Sequence, residues 1–380
     1  MMSFVERTGL ASELSQKRYL WTDAFAVCNF LGIARATGNE GYTELALRLM
    51  DRVHHTLGRH RSDDRRRGWI SGLGEEDGAS HPTRGGLRIG KKLPERLADE
   101  PFEEQLEWER DGQYFHYLTQ WMHALDQVAR ATGERRFNRW ARELAEAAYA
   151  GFTIPGAGGR RLRMAWTMSI DLSRPLISSM GHHDPLEGVI SCAQLRASAS
   201  ELGEQGGPPE LTKELSGFAS MIEDGDWATT DPLGLGGLLM DACRVLQLKG
   251  SAGFPRDEVL ISMLAGALEG LRVYVRTGEL GWPASNRLAF RELGLCIGLR
   301  AIEVGKAHAR SSLAASEVQT LLEKLRPYAW HGADIEAFWL EPRHRETRTW
   351  LEHRDINEVM LATSLVPEGY ALLRPVPPRM

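Results

Sequence analysis

The stretches ARATGNEGYTELALRLMDRV (34–53) and ARATGERRFNRWARELAEAA (129–148) share their first five residues, and beyond them the apolar positions agree one for one. Tyr42, Leu45, Ala46, Leu49, Met50 and Val53 align with Phe137, Trp140, Ala141, Leu144, Ala145 and Ala148. That spacing, i, i+3, i+4, i+7, i+8, i+11, puts them on one face of an amphipathic helix. The glycine after Ala-Thr suits the left-handed C-cap of a preceding helix. Each stretch therefore reads as the turn and second helix of a helical hairpin, and the hairpin repeats.

The first helices of these pairs have another character. AFAVCNFLGIARA (24–36) and YFHYLTQWMHALDQVARA (114–131) are apolar around most of their circumference, as helices buried on several sides are. The second helices carry Arg and Glu on one face and look outward. Further inner-type runs follow at 186–202, 233–248, 288–304 and 356–364, and outer-type runs at 209–222, 257–276 and 314–327. Asp or Asn announces the inner helices: Asp23, Asp111, Asp184, Asp231, Asn286 and Asp355. Asp-Pro-Leu occurs twice, at 184–186 and 231–233, and reads as an N-cap followed by proline at N1.

β signals are few. RRLRMAWTMSIDL (160–172) reads as an extended connection or a small hairpin, and the tail 366–380 is too rich in proline to be helical. A sixth outer helix is missing. Either LASELSQKRYL (10–20) fills its place or the ring stays open. Residues 58–110 are dominated by glycine, proline and charge, yet Trp69, Ile70, Leu73, Leu87, Ile89 and Leu93 offer anchors, so an ordered inserted loop or lid is expected. The expectation is an all-α chain: an (α/α)6 toroid of inner and outer helices, one domain over 1–380, with a long insertion and little β structure.

The 380 residues are 42% hydrophobic and 26% charged, the balance of a soluble globular protein. A net charge of -5 gives no general attraction to nucleic acid or to an anionic membrane. No apolar run reaches the roughly 20 residues of a spanning helix, and MMSFVERTGL lacks the apolar core of a secretory signal. The expected location is the cytoplasm. Cys28, Cys192, Cys243 and Cys296 sit singly in apolar helical runs and read as buried thiols. His182-His183-Asp184 has ligand types without a metal-site spacing, and Leu-Gly-Leu-Gly-Gly (233–237) lacks the strand and Lys-Ser/Thr of a phosphate loop. No metal and no cofactor is expected.

In a ring of this kind the inner-helix N-termini gather at one rim, with their free N–H groups and partial positive charge. There lie Trp21 and Asp23; Trp108, Asp111, Gln113, Tyr114 and His116; His182, His183, Asp184 and Glu187; Trp227 and Asp231; Trp282 and Asn286; and His353, Asp355 and Glu358. Aromatic faces beside carboxylates and amides suit sugars, although aspartate at a helix start is also simply a good cap. The pattern resembles the six-hairpin (α/α)6 toroid superfamily over about 20–365. The resemblance implies carbohydrate chemistry: the group includes glycoside hydrolases, N-acylglucosamine 2-epimerase-like enzymes and polysaccharide lyases.

Three readings follow. The first is glycoside hydrolysis by paired carboxylates, with Asp111 and Asp184 the best pair and Asp355, Asp23 and Asp231 as substitutes. The second is proton transfer at a sugar carbon by His182, His183 or His353, as in an epimerase or lyase. The third is a non-catalytic toroid that binds a glycan or a protein. Trp21, Asp23, Trp108, Gln113, Tyr114, Asp231, Trp282, Asn286 and His353 are the expected contacts to a small saccharide or oligosaccharide.

Overall fold

The computed structural model describes residues 1–12, 17–156, 162–204, 206–222, 225–248, 257–307 and 316–375. Their packing falls into two compact units: Val5–Ala34, Asn39–Asp224 and Arg374–Met380 in the first, and Met1–Phe4, Arg35–Gly38 and Gly225–Leu373 in the second. A short helix, α1 (Met2–Arg7), opens the chain.

The first unit holds most of α2 (Leu20–Thr37), then α3 (Gly41–Leu57), the short α4 (Glu75–Ser80) and α5 (Glu104–Glu107), and two hairpins: α6 (Phe115–Thr132) with α7 (Arg135–Phe152), and α8 (Asp184–Glu201) with α9 (Thr212–Ala219). The repeated pentapeptide works as its sequence requires. Gly38 and Gly133 have φ of +67° and +74°. A Cβ on either would meet nothing within 4 Å, so the left-handed backbone alone calls for glycine.

The inner and outer characters are also realised. Every residue of α2 from Leu20 to Gly32 is buried. On α7, Phe137, Ala141, Leu144, Ala145 and Ala148 are buried while Arg136 and Arg139 face solvent. Inner helices buried on all sides still carry polar groups, and these satisfy one another. Asp126 of α6 accepts from Arg130, Asn138, Gln194 and Ser198 at 2.8–3.1 Å, which joins α6, α7 and α8 away from water.

Five short strands complete this unit. β1 (Gln113–Tyr114), β4 (Thr167–Met168) and β5 (Pro175–Ile177) form an antiparallel sheet in the order β1-β4-β5, with Tyr114 opposite Thr167. β2 (Thr153–Pro155) pairs with β3 (Leu162–Met164). The extended reading of 160–172 is thereby resolved into pieces of two sheets, with 160 and 161 outside the described residues.

The insertion 58–110 is anchored along its length. Trp69, Leu87 and Ile89 are buried. The Ile89 N–H donates to the Gly112 carbonyl at 2.8 Å, and the Leu20 N–H to the Ile89 carbonyl at 3.0 Å. Arg61 and Arg88 reach Asp111 at 3.2 and 2.8 Å.

In the second unit α12 (Ala289–Ala307) packs on α10 (Pro232–Leu248), α14 (Ala329–Leu340) and α16 (Arg354–Leu365), while α11 (Asp257–Thr277) lies between α10 and α13 (Ser316–Leu325). The inner runs at 233–248, 288–304 and 356–364 are α10, α12 and α16, and the outer runs at 257–276 and 314–327 are α11 and α13. Two short helices, α15 (Arg348–Glu352) and α17 (Glu368–Ala371), were not expected. The tail is corrected accordingly: its first residues form a helical turn that buries Tyr370 and Ala371, because Pro367 stands at its N-cap, outside the helix, and the next proline is Pro375.

Helix α14 was also missed. Pro327 reads as a stop, but it sits in a 3-10 turn, Arg326–Tyr328, from which the helix restarts. The sixth inner helix meets the start of the chain, upstream of the segment expected there: the Ser3 hydroxyl donates to Glu358 of α16 at 2.7 Å. All four cysteines are buried free thiols. Among the described residues no helix is long and apolar enough to cross a membrane.

Candidate functional site

Three helix N-termini meet in the first unit. At the start of α2, Asp23 is buried, and its Oδ2 accepts the Tyr19 N–H at 3.2 Å while Arg18 stands 3.5 Å from Oδ1. The carboxylate thus holds the helix start in place, and Trp21 is fixed beside it. The Trp21 indole donates to Nε2 of His116, the second residue of α6, at 3.2 Å. Nδ1 of the same ring is 2.7 and 2.9 Å from the two oxygens of Glu187, in the first turn of α8. The Thr119 hydroxyl, one turn along α6, lies 2.7 Å from Glu187 Oε2.

The indole N–H can only donate. Nε2 of His116 is therefore the acceptor, and Nδ1 carries the proton that Glu187 receives. Donor, ring and carboxylate form one chain that fixes the imidazole's tautomer and orientation, the arrangement that makes a histidine an effective base.

Asp184 lies one turn before Glu187. Its side chain is buried, and its Oδ2 has no hydrogen-bond partner. Burial, reinforced by the charge of Glu187, pushes its carboxyl up to about 7. Near neutral pH this group is half in the acid form. Gly181 is the residue that leaves it room, since a Cβ there would lie 2.3 Å from Asp184 Oδ2.

An aromatic surface continues from His116. Its ring is 6.1 Å from Tyr117, edge-on, and Tyr117 is 5.3 Å from Tyr114. Tyr114 stacks on Trp166 at 5.9 Å and 21°, and half-exposed Trp108 meets Trp166 edge-on at 5.6 Å. The Tyr19 and Tyr117 hydroxyls are 2.6 Å apart. Lys91 of the insertion sets its ammonium 5.0 Å from the Tyr114 ring and 5.7 Å from Trp108, and burial pushes its pKa down.

Several sequence candidates have other tasks. Asp111 is fully buried and accepts from Arg61, Arg88 and the Gly90 and Gly112 amides. It ties the insertion down. Gln113 is likewise fully buried. It accepts from the Leu87 N–H and donates to the Gly85 and Ile170 carbonyls, so it clamps three backbone segments. His182 is exposed and His183 half-buried, their rings 4.7 Å apart in the turn before α8.

The remaining candidates belong to the second unit. Asp231 accepts the Gly234 N–H at 2.9 Å, a true N-cap, and pairs with Arg291. Trp282 and Asn286 are exposed, and Asn286 accepts from the Ser285 hydroxyl at 2.9 Å. His353 packs 5.4 Å from Phe290, and Asp355 lies exposed in the first turn of α16. Sequence reasoning placed His116 and Glu187 at the rim without singling them out, and missed Trp166, Tyr117 and Lys91. The usable signal was position: His116 opens an inner helix, and Glu187 follows Asp184 by one helical turn.

The fold is the six-hairpin (α/α)6 arrangement of inner and outer helices. By structure the chain is similar to cellobiose 2-epimerase from Spirochaeta thermophila DSM 6192, with a TM-score of 0.50 and 12% identity over 92% of this chain and 87% of that one. No family model matches the chain, and no curated protein matches it by sequence.

Proposed function

We propose that this chain is a carbohydrate-active enzyme that moves a proton at a sugar carbon, an epimerase rather than a hydrolase. The observation that carries the reading is the Trp21–His116–Glu187 chain. A sugar carbon beside a carbonyl is a weak carbon acid. A base removes its proton, the electron pair moves onto the carbonyl oxygen, and return of a proton to the opposite face inverts the centre without any redox partner. His116 Nε2, released by Trp21 when substrate enters, is the base, and Glu187 stabilises the imidazolium that forms. Asp184 is the acid that supports charge developing on the sugar oxygen. Half-exposed Trp108 and Trp166, which is backed by Tyr114, offer faces for pyranose rings.

The fold neighbour bears the name of a cellobiose 2-epimerase, which agrees with this reading and suggests reducing disaccharides as the first substrates to try. Glycoside hydrolysis needs two carboxylates at the scissile bond. Asp184 could serve as the acid, but Glu187 is held by His116 and Thr119, and Asp111 by two arginines. The test is incubation with cellobiose, lactose and mannobiose in D2O, followed by NMR. The expected result is deuterium at C2 together with the 2-epimer. Release of monosaccharide without exchange would establish the hydrolase, and silence in both would leave a binding protein.

A further inference from the structure

We propose that Lys91 makes the His116 site selective for acidic disaccharides, which carry one negative group, a carboxylate or a sulfate ester, on the unit next to the reacting sugar. The placement of the reacting sugar at His116 rests on the epimerase reading above. The preference for a negative charge does not.

The charges of the insertion single this residue out. Of the cations between 88 and 110, Arg88 pairs with Asp111 at 2.8 Å, Lys92 with Glu109 at 3.8 Å, Arg96 with Glu107 at 2.5 Å and Arg110 with Glu100 at 2.9 Å. Among the described residues Lys91 has no carboxylate partner. Its ammonium has three N–H donors. The Trp108 carbonyl takes one at 2.5 Å and the Tyr114 hydroxyl a second at a long 3.5 Å, and no described residue takes the third. The Tyr114 and Trp108 rings attract the ammonium from 5.0 and 5.7 Å but carry no countercharge. Burial pushes its pKa down, and the more distant Glu109, Asp111 and Glu107 offset that only in part. A negative group arriving beside it offsets the rest.

Position decides which sugar unit carries the charge. Tyr117 and Tyr114 stand between His116 and Lys91, with successive rings 6.1 and 5.3 Å apart. A sugar reacting at His116 is therefore out of reach of the ammonium. The next unit, over Trp166 and Trp108, is the one that meets it. One unpaired lysine suits a singly charged group. A phosphate, with about two charges, would be opposed by the neighbouring Glu107 and Glu109.

The test is calorimetry on the full chain with cellobiose, cellobiouronic acid and cellobiose 6′-sulfate. The expected result is that an acidic form binds about tenfold or more tightly than cellobiose at low salt, and the one that gains more names the acid. The advantage shrinks as salt rises. The readout in variants is the ratio of acidic to neutral affinity. Lys91→Met brings it close to one, and Lys91→Arg, which keeps the charge, holds it well above one. Lys92→Met removes an exposed, already paired neighbour and leaves the ratio within about twofold of the parent's. The proposal is overturned if no acidic form outbinds cellobiose or if the ratio survives in Lys91→Met. It is equally overturned if Lys91→Arg or Lys92→Met lowers the ratio as far as Lys91→Met does. The ratio comes from binding alone. A charge preference without C2 exchange would remove the epimerase reading and keep this one, and exchange without a preference would do the reverse.

Discussion

Asp-Pro-Leu starts a helix in each unit, and the two aspartates have opposite fates. Asp231 stands just outside α10, where its Oδ2 takes the Gly234 N–H and Arg291 meets its other oxygen. Asp184 is already the first residue of α8, buried, with Oδ2 unpartnered and its carboxyl pushed toward neutrality. The residue three positions on makes the difference. In α10 it is Gly234, a bare amide ready to be capped. In α8 it is Glu187, a second carboxylate bound to His116. One phrase thus gives a helix cap in one place and an acid beside a histidine–carboxylate pair in the other. The lesson is that a capping motif is structural where its carboxylate is satisfied, and a candidate for chemistry where the fold leaves it unsatisfied.

The largest effect should fall on the reactive side of this contrast. His116→Asn removes the base while keeping a small polar side chain, and kcat for C2 exchange should drop by about 10²–10⁴-fold. Deuterium incorporation followed by NMR measures it, and unchanged helical circular dichroism shows that the fold persists. Exchange at the parent rate would remove His116 from the chemistry. The satisfied carboxylate of the insertion provides the structural counterpart. Asp111→Asn leaves Arg61 and Arg88 facing an uncharged group, and breaking a buried pair in this way costs about 3–5 kcal/mol. Urea unfolding reads that loss directly. A midpoint near the parent's would mean that the insertion is held by its apolar anchors alone.

Much of the fold was legible because the hairpin grammar depends on local properties. Apolar spacing, a left-handed glycine and a helix apolar all round are visible in ARATG and in the runs that surround it. Helix α14 escaped because Pro327 reads as a terminus, while the restart through a 3-10 turn depends on packing by Ile335 and Trp339. The site was legible only as a neighbourhood. His116, Glu187, Trp21 and Asp184 all lie in stretches marked as rim. Which of them touch depends on the rotation of α2, α6 and α8 about their own axes, and no short pattern encodes that. Asp111 and Gln113 look identical in sequence to catalytic candidates. Only the arrival of the insertion, with Arg61, Arg88 and the Leu87 amide, shows that they are tied to structure.

A pH series separates the two helix starts more finely. Asp184 has a folded-state pKa of about 7 against an ordinary value of 3.8. Below 3.8 the group is neutral in both states and imposes no penalty. As pH rises, the unfolded chain releases this proton first, so the native state loses stability relative to it until pH passes about 7. At 1.36 kcal/mol per unit the full loss is at most on the order of 4 kcal/mol. Asp184→Asn stays neutral throughout. It should match the parent near pH 4 and exceed it increasingly toward pH 8, as read from urea midpoints. Parallel curves would mean that Asp184 is ionised and stabilised in the native state, against its role as the acid.

The smallest effect belongs to the other copy of the motif. Asp231→Ala removes one side-chain acceptor from the first turn of α10, which costs about 1 kcal/mol. The lost pairing with Arg291 adds little, because both side chains are more than a third exposed and water screens them. No effect on C2 exchange is expected beyond that stability loss. If Asp231→Ala instead lowered kcat as far as His116→Asn does, satisfaction by a backbone amide would not distinguish a cap from a catalytic carboxylate. The contrast between the two Asp-Pro-Leu starts would then lose its meaning.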